Sequence, residues 1–420
     1  MPHRDPTAAT AAFTLAFALA ACLPAQRPTT YRCAHVLAED GASWRGPTDV
    51  VVLGPAIVLV EPARSEPADV DFGEAWLIPG LIDLHTHVCL HPYDETPWNQ
   101  QVLEESLELR SMRAVAHARA TLAAGFVAIR DLGTEGAGFA DVALRSAIRA
   151  GLVPGPRVFA STRAIVATGC YGPVLPTVDA PKGAEPADGE VGVRVAVRRQ
   201  IAAGAQWIKV YADYRRAAGQ PSTPTFTPAE LLAICDEAKT AGVPVAAHAN
   251  TDEGIRRAVL AGVRTIEHGS LASEDTLRLM VEKGVVLCPC LAANEAIVRY
   301  AGHRGPIADR LNTSRIGFQR ALAAGVTIAC GSDAGVFRHG DNAREIELMV
   351  EYGMTPAQAL AAATTTAAQV LGGSETGRIA KGPMFGFVVL AGDPLQAVHN
   401  LRKVKAVVTD EGGDRLPGLR

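Results

Sequence analysis

Eight short apolar runs recur along this chain, each followed by a helical pattern, and that alternation narrows the folds open to it. The runs span residues 77–87, 126–130, 157–160, 207–211, 243–248, 265–268, 285–288 and 326–330. The helical segments between them close repeatedly on Ala-Gly: Ala124-Gly125, Ala150-Gly151, Ala203-Gly204, Ala241-Gly242, Ala261-Gly262 and Ala324-Gly325. Glycine at that place takes the left-handed conformation that ends a helix. Alternating strands and helices predict a parallel sheet. Eight units predict an α/β fold, a (β/α)8 TIM barrel over residues 79–372, with its active site at the C-terminal ends of the strands.

The chain has 420 residues, and a barrel of ~250 leaves room for a smaller domain. Residues 30–78 alternate in the β manner, with 49–53 and 56–60 forming a hairpin around Gly54-Pro55. The same character returns at 387–391 and 404–408, separated by Gly392-Asp393-Pro394. These distant segments, 30–78 and 373–412, are expected to form one composite β-sandwich domain. Residues 161–190 read as a long structureless loop suited to a lid, and 212–227 as a second irregular loop after the fourth strand.

Residues 1–25 have a separate character. Arg4 precedes an apolar stretch, 8–21, shorter than the ~20 residues that span a bilayer. It reads as the core of a signal peptide. Leu19-Ala20-Ala21-Cys22 resembles a bacterial lipoprotein signal, which implies acylation of Cys22, attachment to a membrane through it, and an exported protein, periplasmic or membrane-anchored. Ordinary cleavage after Ala25 is the alternative. The net charge is −4 and no basic run marks a nucleic-acid surface. Of the eight cysteines, Cys89, Cys235, Cys288, Cys290 and Cys330 sit in apolar patterns as small hydrophobes. Cys288-Pro289-Cys290 has the wrong spacing for a zinc knuckle.

The first run ends in His85-Thr86-His87. Side chains alternate along a strand, so both imidazoles face one way and can grip one metal ion. Lys209, His248, His268 and Asp333 fall at or just after the ends of the fourth, fifth, sixth and eighth runs, where a barrel brings them to one mouth. Imidazole and carboxylate suit zinc. A metal lowers the pKa of bound water to ~7 and polarises a carbonyl. Asp333 then takes the water's proton and returns it to a leaving amine. A plain ammonium at Lys209 would repel a dication, whereas a carbamylated lysine offers two anionic oxygens that could bridge metals ~3.5–4 Å apart.

Pro79-Gly80-Leu81-Ile82-Asp83 leading into His-Thr-His resembles the metal-dependent amidohydrolase superfamily, over residues from about 30 to about 412. The resemblance implies the same barrel and β-domain. In a binuclear subgroup it implies a carboxylated lysine at the end of strand four, matched by Gln206-Trp207-Ile208-Lys209-Val210. On that pattern His85, His87 and Asp333 hold one Zn2+, His248 and His268 a second, and a CO2-derived carbamate on Lys209 bridges them. The alternative is one metal on His85, His87, His248 and Asp333. Many relatives carry an acidic residue near Gly386, where a packing effect is expected.

Within the superfamily the chain is similar to Xaa-Pro and Xaa-Arg/Lys dipeptidases and imidazolonepropionase-like proteins. Dipeptidases often carry Gly-Gly-His-Gly and His-Ala-Tyr where this chain has Gly169-Cys170-Tyr171-Gly172 and His248-Ala249-Asn250. Tyr171, Tyr211 or Asn250 would then supply the carbonyl or oxyanion contact. Arg215 or Arg216 would fork onto a substrate carboxylate. Glu267 is expected behind the ligands or facing the core, Arg130 to pair with Asp131, His339 to reach substrate, and Asp341 or Asn342 to cap a helix. His91, His117 and His303 read as structural or surface residues. The expected activity is hydrolysis of an amide or peptide C–N bond of a small molecule, with an ester or lactone as the alternative bond. A non-catalytic binding protein would have lost ligands that are all present here.

Overall fold

The computed structural model describes residues 27–173, 180–217, 219–302, 308–373 and 376–410. The N-terminal leader with Cys22, and His303, lie outside the described residues.

Seven parallel strands line up in chain order: Leu81–Thr86, Phe126–Asp131, Arg157–Ala160, Ile208–Tyr211, Val245–Ala249, Thr265–His268 and Val286–Cys288. The third and fourth join where Ala160 O accepts the N–H groups of Gln206 and Trp207, while Ile165–Val166 adds to the fourth strand's edge. Helices follow the strands in sequence and cover them. Gly125, Gly151, Gly204, Gly242, Gly262 and Gly325 all have φ between 69° and 105°, the left-handed geometry expected of the Ala-Gly helix ends. The interior packs Ile82, Ile208, Ile266 and Trp207 into one buried cluster, each large aliphatic contributing about 1.5–3 kcal/mol of burial.

The eighth run departs from a regular strand. Two isolated parallel bridges, Leu287↔Ile328 and Thr86↔Ala334, close the ring there. Cys330 N donates to Ala362 O on a helix rather than to a neighbouring strand, and its own carbonyl accepts Leu84 N. Beyond Gly331 the chain turns through Asp333 at φ 63°. A ladder cannot run through that turn, but the turn aims Asp333 inward.

The terminal segments share two five-stranded sheets. One orders Gly382–Pro383, Ala56–Pro62, Thr48–Leu53, Thr29–Cys33 and Val70–Asp71; the other orders Val404–Thr409, Gly386–Leu390, Trp76–Pro79, His35–Leu37 and Trp44–Arg45. Tyr31, Val50, Ile57, Leu77, Phe387 and Val389 fill the space between them. Trp76–Pro79 continues through Gly80 into the first barrel strand, so the β-domain fixes the root of the strand that carries His85 and His87. A Cβ at Gly386 would lie 2.2 Å from Val408 O. That clash excludes any acidic side chain there and explains the departure as packing.

The two loops have more structure than their composition suggests. Ile165–Val166 and Glu185–Pro186 pair in parallel, and Asp213–Arg215 forms a hairpin with Ser222–Pro224. Seven described cysteines are buried free thiols. Among the described residues no helix is long and apolar enough to cross a membrane.

Candidate metal centre and active site

His85 and His87 leave the first strand on one face, as alternation requires. Each ring is fixed by its Nδ1. His85 Nδ1 lies 2.9 Å from Glu267 Oε2, and His87 Nδ1 lies 2.8 Å from Gly133 O. A carboxylate and a carbonyl can only accept, so both Nδ1 atoms carry the proton and both Nε2 atoms turn toward the mouth. There His87 Nε2 stands 3.2 Å, and His85 Nε2 3.7 Å, from Asp333 Oδ1. Lys209 Nζ is 3.5 Å from His85 Nε2. His268 neighbours both His85 and His248, with ring centroids 5.5 and 4.6 Å apart. All six expected ligands therefore converge.

Buried groups beneath them hold this arrangement. Asp83 accepts from His85 N, Ser332 N, Ser332 Oγ and Asn342 Nδ2, tying the first strand to the turn that presents Asp333. Glu267 accepts from Arg130 Nη2 at 2.9 Å and Thr265 Oγ1 at 2.5 Å, and both charged side chains are 0% exposed. Burial opposes the Glu267 charge, but Arg130 and His85 outweigh it and bring its pKa down to about 2. Arg130 also stacks over Trp207 at 4.2 Å. The Arg130–Asp131 pair expected from sequence is therefore replaced by Arg130–Glu267. Consecutive strand residues face opposite sides, and Asp131 accepts Val88 N instead.

The electrostatics favour a cation. Burial and the Lys209 charge lower His85 to about 4. Burial also opposes a charge on His87, yet the Asp333 hydrogen bond and the Glu135 and Asp131 charges raise it to about 9. Burial lowers the Lys209 ammonium as well. His268 Nδ1 is buried without a hydrogen-bond partner among the described residues. His268 and Asp333 both sit at positive φ, 73° and 63°, and such strain collects at functional sites. Imidazole nitrogens, a carboxylate and an orphaned buried nitrogen are a donor set that fits zinc.

A cleft of about 840 Å³ opens over these groups. Its wall is aromatic: Tyr171 meets Trp98 at 5.0 Å, Tyr211 at 4.5 Å and Tyr214 at 5.1 Å, and Tyr211 stacks on His248 at 4.7 Å. Tyr211, Tyr171, Asn250 and Arg215 all line it. The Tyr171 hydroxyl donates to Glu135 Oε2 at 2.5 Å, so that proton is committed to Glu135. Arg216 turns away toward Cys170 Sγ and does not line the cleft. Arg310 does line it, its Nε donating to Asn294 Oδ1 at 2.6 Å.

Other expectations need correction. His339 is buried, donates from Nε2 to Leu90 O, and stacks on His117 at 4.3 Å, away from the cleft. Asn342 precedes helix Ala343–Glu351 but makes no side-chain cap, because its amide serves Asp83; Asp341 pairs with Arg402. His91 bonds Glu105 and Glu95 as a structural residue. Glu135, Arg310 and Cys290 escaped the sequence reading. Glu135 had one signal, its place just past the second strand's end, where barrel loops carry function.

A family model described as the amidohydrolase family matches residues 76–412. Ochratoxinase of Aspergillus niger is 32% identical over 377 residues, spanning 82% of this chain and 76% of that protein. The crystal structure of a Xaa-Pro dipeptidase with bound methionine in the active site gives a TM-score of 0.83 at 28% identity, covering 92% of this chain and 99% of that one. A prolidase complexed with n-methylphosphonate-l-proline gives 0.82 at 29% identity, covering 93% and 100%. With the barrel and the convergent site, these matches place the chain in the amidohydrolase family, as a hydrolase acting on carbon–nitrogen bonds.

Proposed function

We propose that this protein is a metal-dependent amidohydrolase of small amides that carry a carboxylate, such as dipeptides or N-acyl amino acids. The observation that carries the reading is the fixing of His85 and His87 by their Nδ1 atoms, which turns both Nε2 atoms onto Asp333. His85, His87 and Asp333 would hold one zinc ion and His248 and His268 another, with a carbamate on Lys209 between them. Bound there, zinc supplies a nucleophilic water at neutral pH and a Lewis acid for the substrate carbonyl. Asp333 takes the proton of that water and returns it to the departing amine nitrogen. The aromatic wall packs the acyl or side-chain portion and excludes water from the reacting bond. Crystals grown with zinc and bicarbonate that show an unmodified Lys209 beside a single fully occupied metal would remove the bridge.

Arg215 and Arg310 are the cations positioned for the carboxylate. Arg310→Ala is expected to raise KM for carboxylate substrates by ~10-fold, since a hydrogen bond to a charged group contributes about 1.5–3 kcal/mol. Methyl esters of the same substrates should lose little, and Arg216→Ala should leave KM unchanged. Equal losses on acid and ester would remove Arg310 from carboxylate recognition. The names of the relatives agree with this substrate class, since n-methylphosphonate-l-proline is built on an amino acid.

Export with acylation at Cys22 is part of the proposal and rests on residues 1–25 alone. Mass spectrometry of the mature protein should find a lipid-modified N-terminal Cys22. An unmodified chain beginning at Gln26 would establish simple cleavage.

Glu345, which accepts Ala292 N at the start of the helix after the seventh strand, adds a pH dependence. Burial raises Glu345 to about 8, while the N–H groups of Ala292 and Leu291 pull it down. Its ordinary value is 4.5, so the folded protein holds an extra proton between about 4.5 and 8. Stability from this group is complete below that window and is lost as pH rises through it. Glu345→Gln should therefore gain on the wild type in thermal midpoint as pH rises from 5 to about 8.5. A constant gap across that range would contradict it.

A further inference from the structure

We propose that Cys290 supplies a thiolate donor to this metal centre, so that the site selects thiophilic divalent cations, such as zinc, cobalt(II) and cadmium, over magnesium and manganese(II). The inference rests on the metal-dependent reading above and concerns a residue that the six histidine, lysine and aspartate positions leave out.

Position comes first. Cys290 follows the seventh strand, Val286–Cys288, and one ligand atom from each of His85, His268, Cys290 and Asp333 lies within 4.8 Å of the others. All four residues are buried. Its Sγ is 3.2 Å from His85 Nδ1, but that nitrogen's proton goes to the nearer and ionised Glu267. Its other contact among the described residues is the hydrogen bond that Sγ donates to Cys288 O at 3.5 Å, an ordinary length for sulfur. The sulfur thus lies among ligands, held by one weak thiol hydrogen bond that coordination would replace. His268 Nδ1, in the same group, is buried and has no hydrogen-bond partner among the described residues.

The backbone adds a third feature. His268, Cys290 and Asp333 have φ of 73°, 53° and 63°. Cysteine has no intrinsic liking for that region, and a residue is held there only where its surroundings impose it. The turn is fixed from both sides, with Cys290 N donating to Gly331 O at 3.1 Å and Glu345 Oε2 accepting Ala292 N at 2.7 Å. The strained turn therefore aims the sulfur at the cluster and holds it there.

The chemistry follows from ligand softness. Thiolate prefers zinc and its softer neighbours, while magnesium and manganese prefer oxygen. Coordination transfers the thiol proton to solvent and donates a sulfur lone pair to the cation, with no change of oxidation state.

The direct test is X-ray absorption of the zinc-loaded wild-type protein. One sulfur scatterer at ~2.3 Å beside nitrogen and oxygen is expected. The cobalt(II) form should show a sulfur-to-cobalt charge-transfer band in the near ultraviolet, lost in Cys290→Ser and kept in Cys235→Ser, whose thiol lies on helix Pro228–Thr240. Zinc affinity of Cys290→Ser should fall by ~10-fold or more, with manganese affinity nearly unchanged. A zinc-replete wild type whose shell is nitrogen and oxygen only overturns the thiolate while leaving the metal-dependent reading in place. A protein that keeps no zinc after loading and dialysis overturns both. Because the absorption measurement needs only the wild type, a poorly folding Cys290→Ser does not shield the proposal.

Discussion

Asp333→Asn is expected to lower kcat for amide hydrolysis by about 10²–10⁴-fold, the range that a positioned general base contributes. The substitution keeps the shape and removes the proton acceptor. Asp333 Oδ1 lies 3.2 Å from His87 Nε2 and 3.7 Å from His85 Nε2, where the proposed mechanism needs its proton acceptor. Its backbone is set independently, since Asp333 N donates to His85 O at 2.7 Å. The loss should appear in kcat more than in KM, because the arginines proposed to bind the carboxylate, Arg215 and Arg310, lie elsewhere in the cleft. Zinc content measured on the same samples separates lost chemistry from lost metal. Near wild-type turnover at full zinc content would remove Asp333 from proton transfer.

Glu267→Gln is expected to cost about 3–5 kcal/mol of stability, the penalty for leaving a buried charge without its partner. Arg130 and Glu267 are both fully shielded, and the guanidinium has its carboxylate contact at 2.9 Å. Replacing the pair together, Arg130→Met with Glu267→Leu, should recover much of that loss, since no charge is then stranded. Catalysis should not recover with it. The double variant removes the acceptor that fixes the His85 tautomer, and such supporting contacts are typically worth 10–100-fold in metal affinity or activity. Denaturant unfolding reads the first effect and zinc titration the second. A single variant as stable as wild type would show that Arg130 finds another partner.

The parts legible in the sequence were those governed by period and order. Period-2 alternation places His85 and His87 on one face, and the strand–helix alternation places His248 and His268 near the ends of successive strands, with Lys209 two residues short of the end of the strand before them. The same alternation, applied to Arg130 and Asp131, forbids the pair first expected of them. What stayed illegible depends on where loops travel. Arg310 sits on helix Ala308–Ala323 with no local mark to distinguish it from other surface arginines, and only the tertiary path brings it over the cleft. Cys290 looked like one apolar thiol among several, because a left-handed turn after Pro289, not a period, aims it at the ligands. Tyr171 is one of three side chains, with Tyr211 and Asn250, read as a carbonyl or oxyanion contact, and the acceptor of its proton, Glu135, is 36 residues away. His339 looked available because it follows Asp333 closely, yet the turn carries it behind the first strand's loop, against His117.

The departures from the dipeptidase pattern now have a place in the molecule. Tyr171 stands among Trp98, Tyr211 and Tyr214, and Asn250 opens on the same cleft. Together they make an edge-to-face aromatic wall, with one amide beside it, next to the candidate ligands.

The measurement that bears most directly on metal-dependent amide hydrolysis at this site is amine release from pooled dipeptides and N-acyl amino acids. The mature protein would be loaded with zinc and bicarbonate and compared with His85→Ala. Release by the wild type that disappears in the variant and on chelation is the expected result. Zinc-replete wild type that releases no amine, or a His85→Ala protein that releases it as fast, would contradict the account.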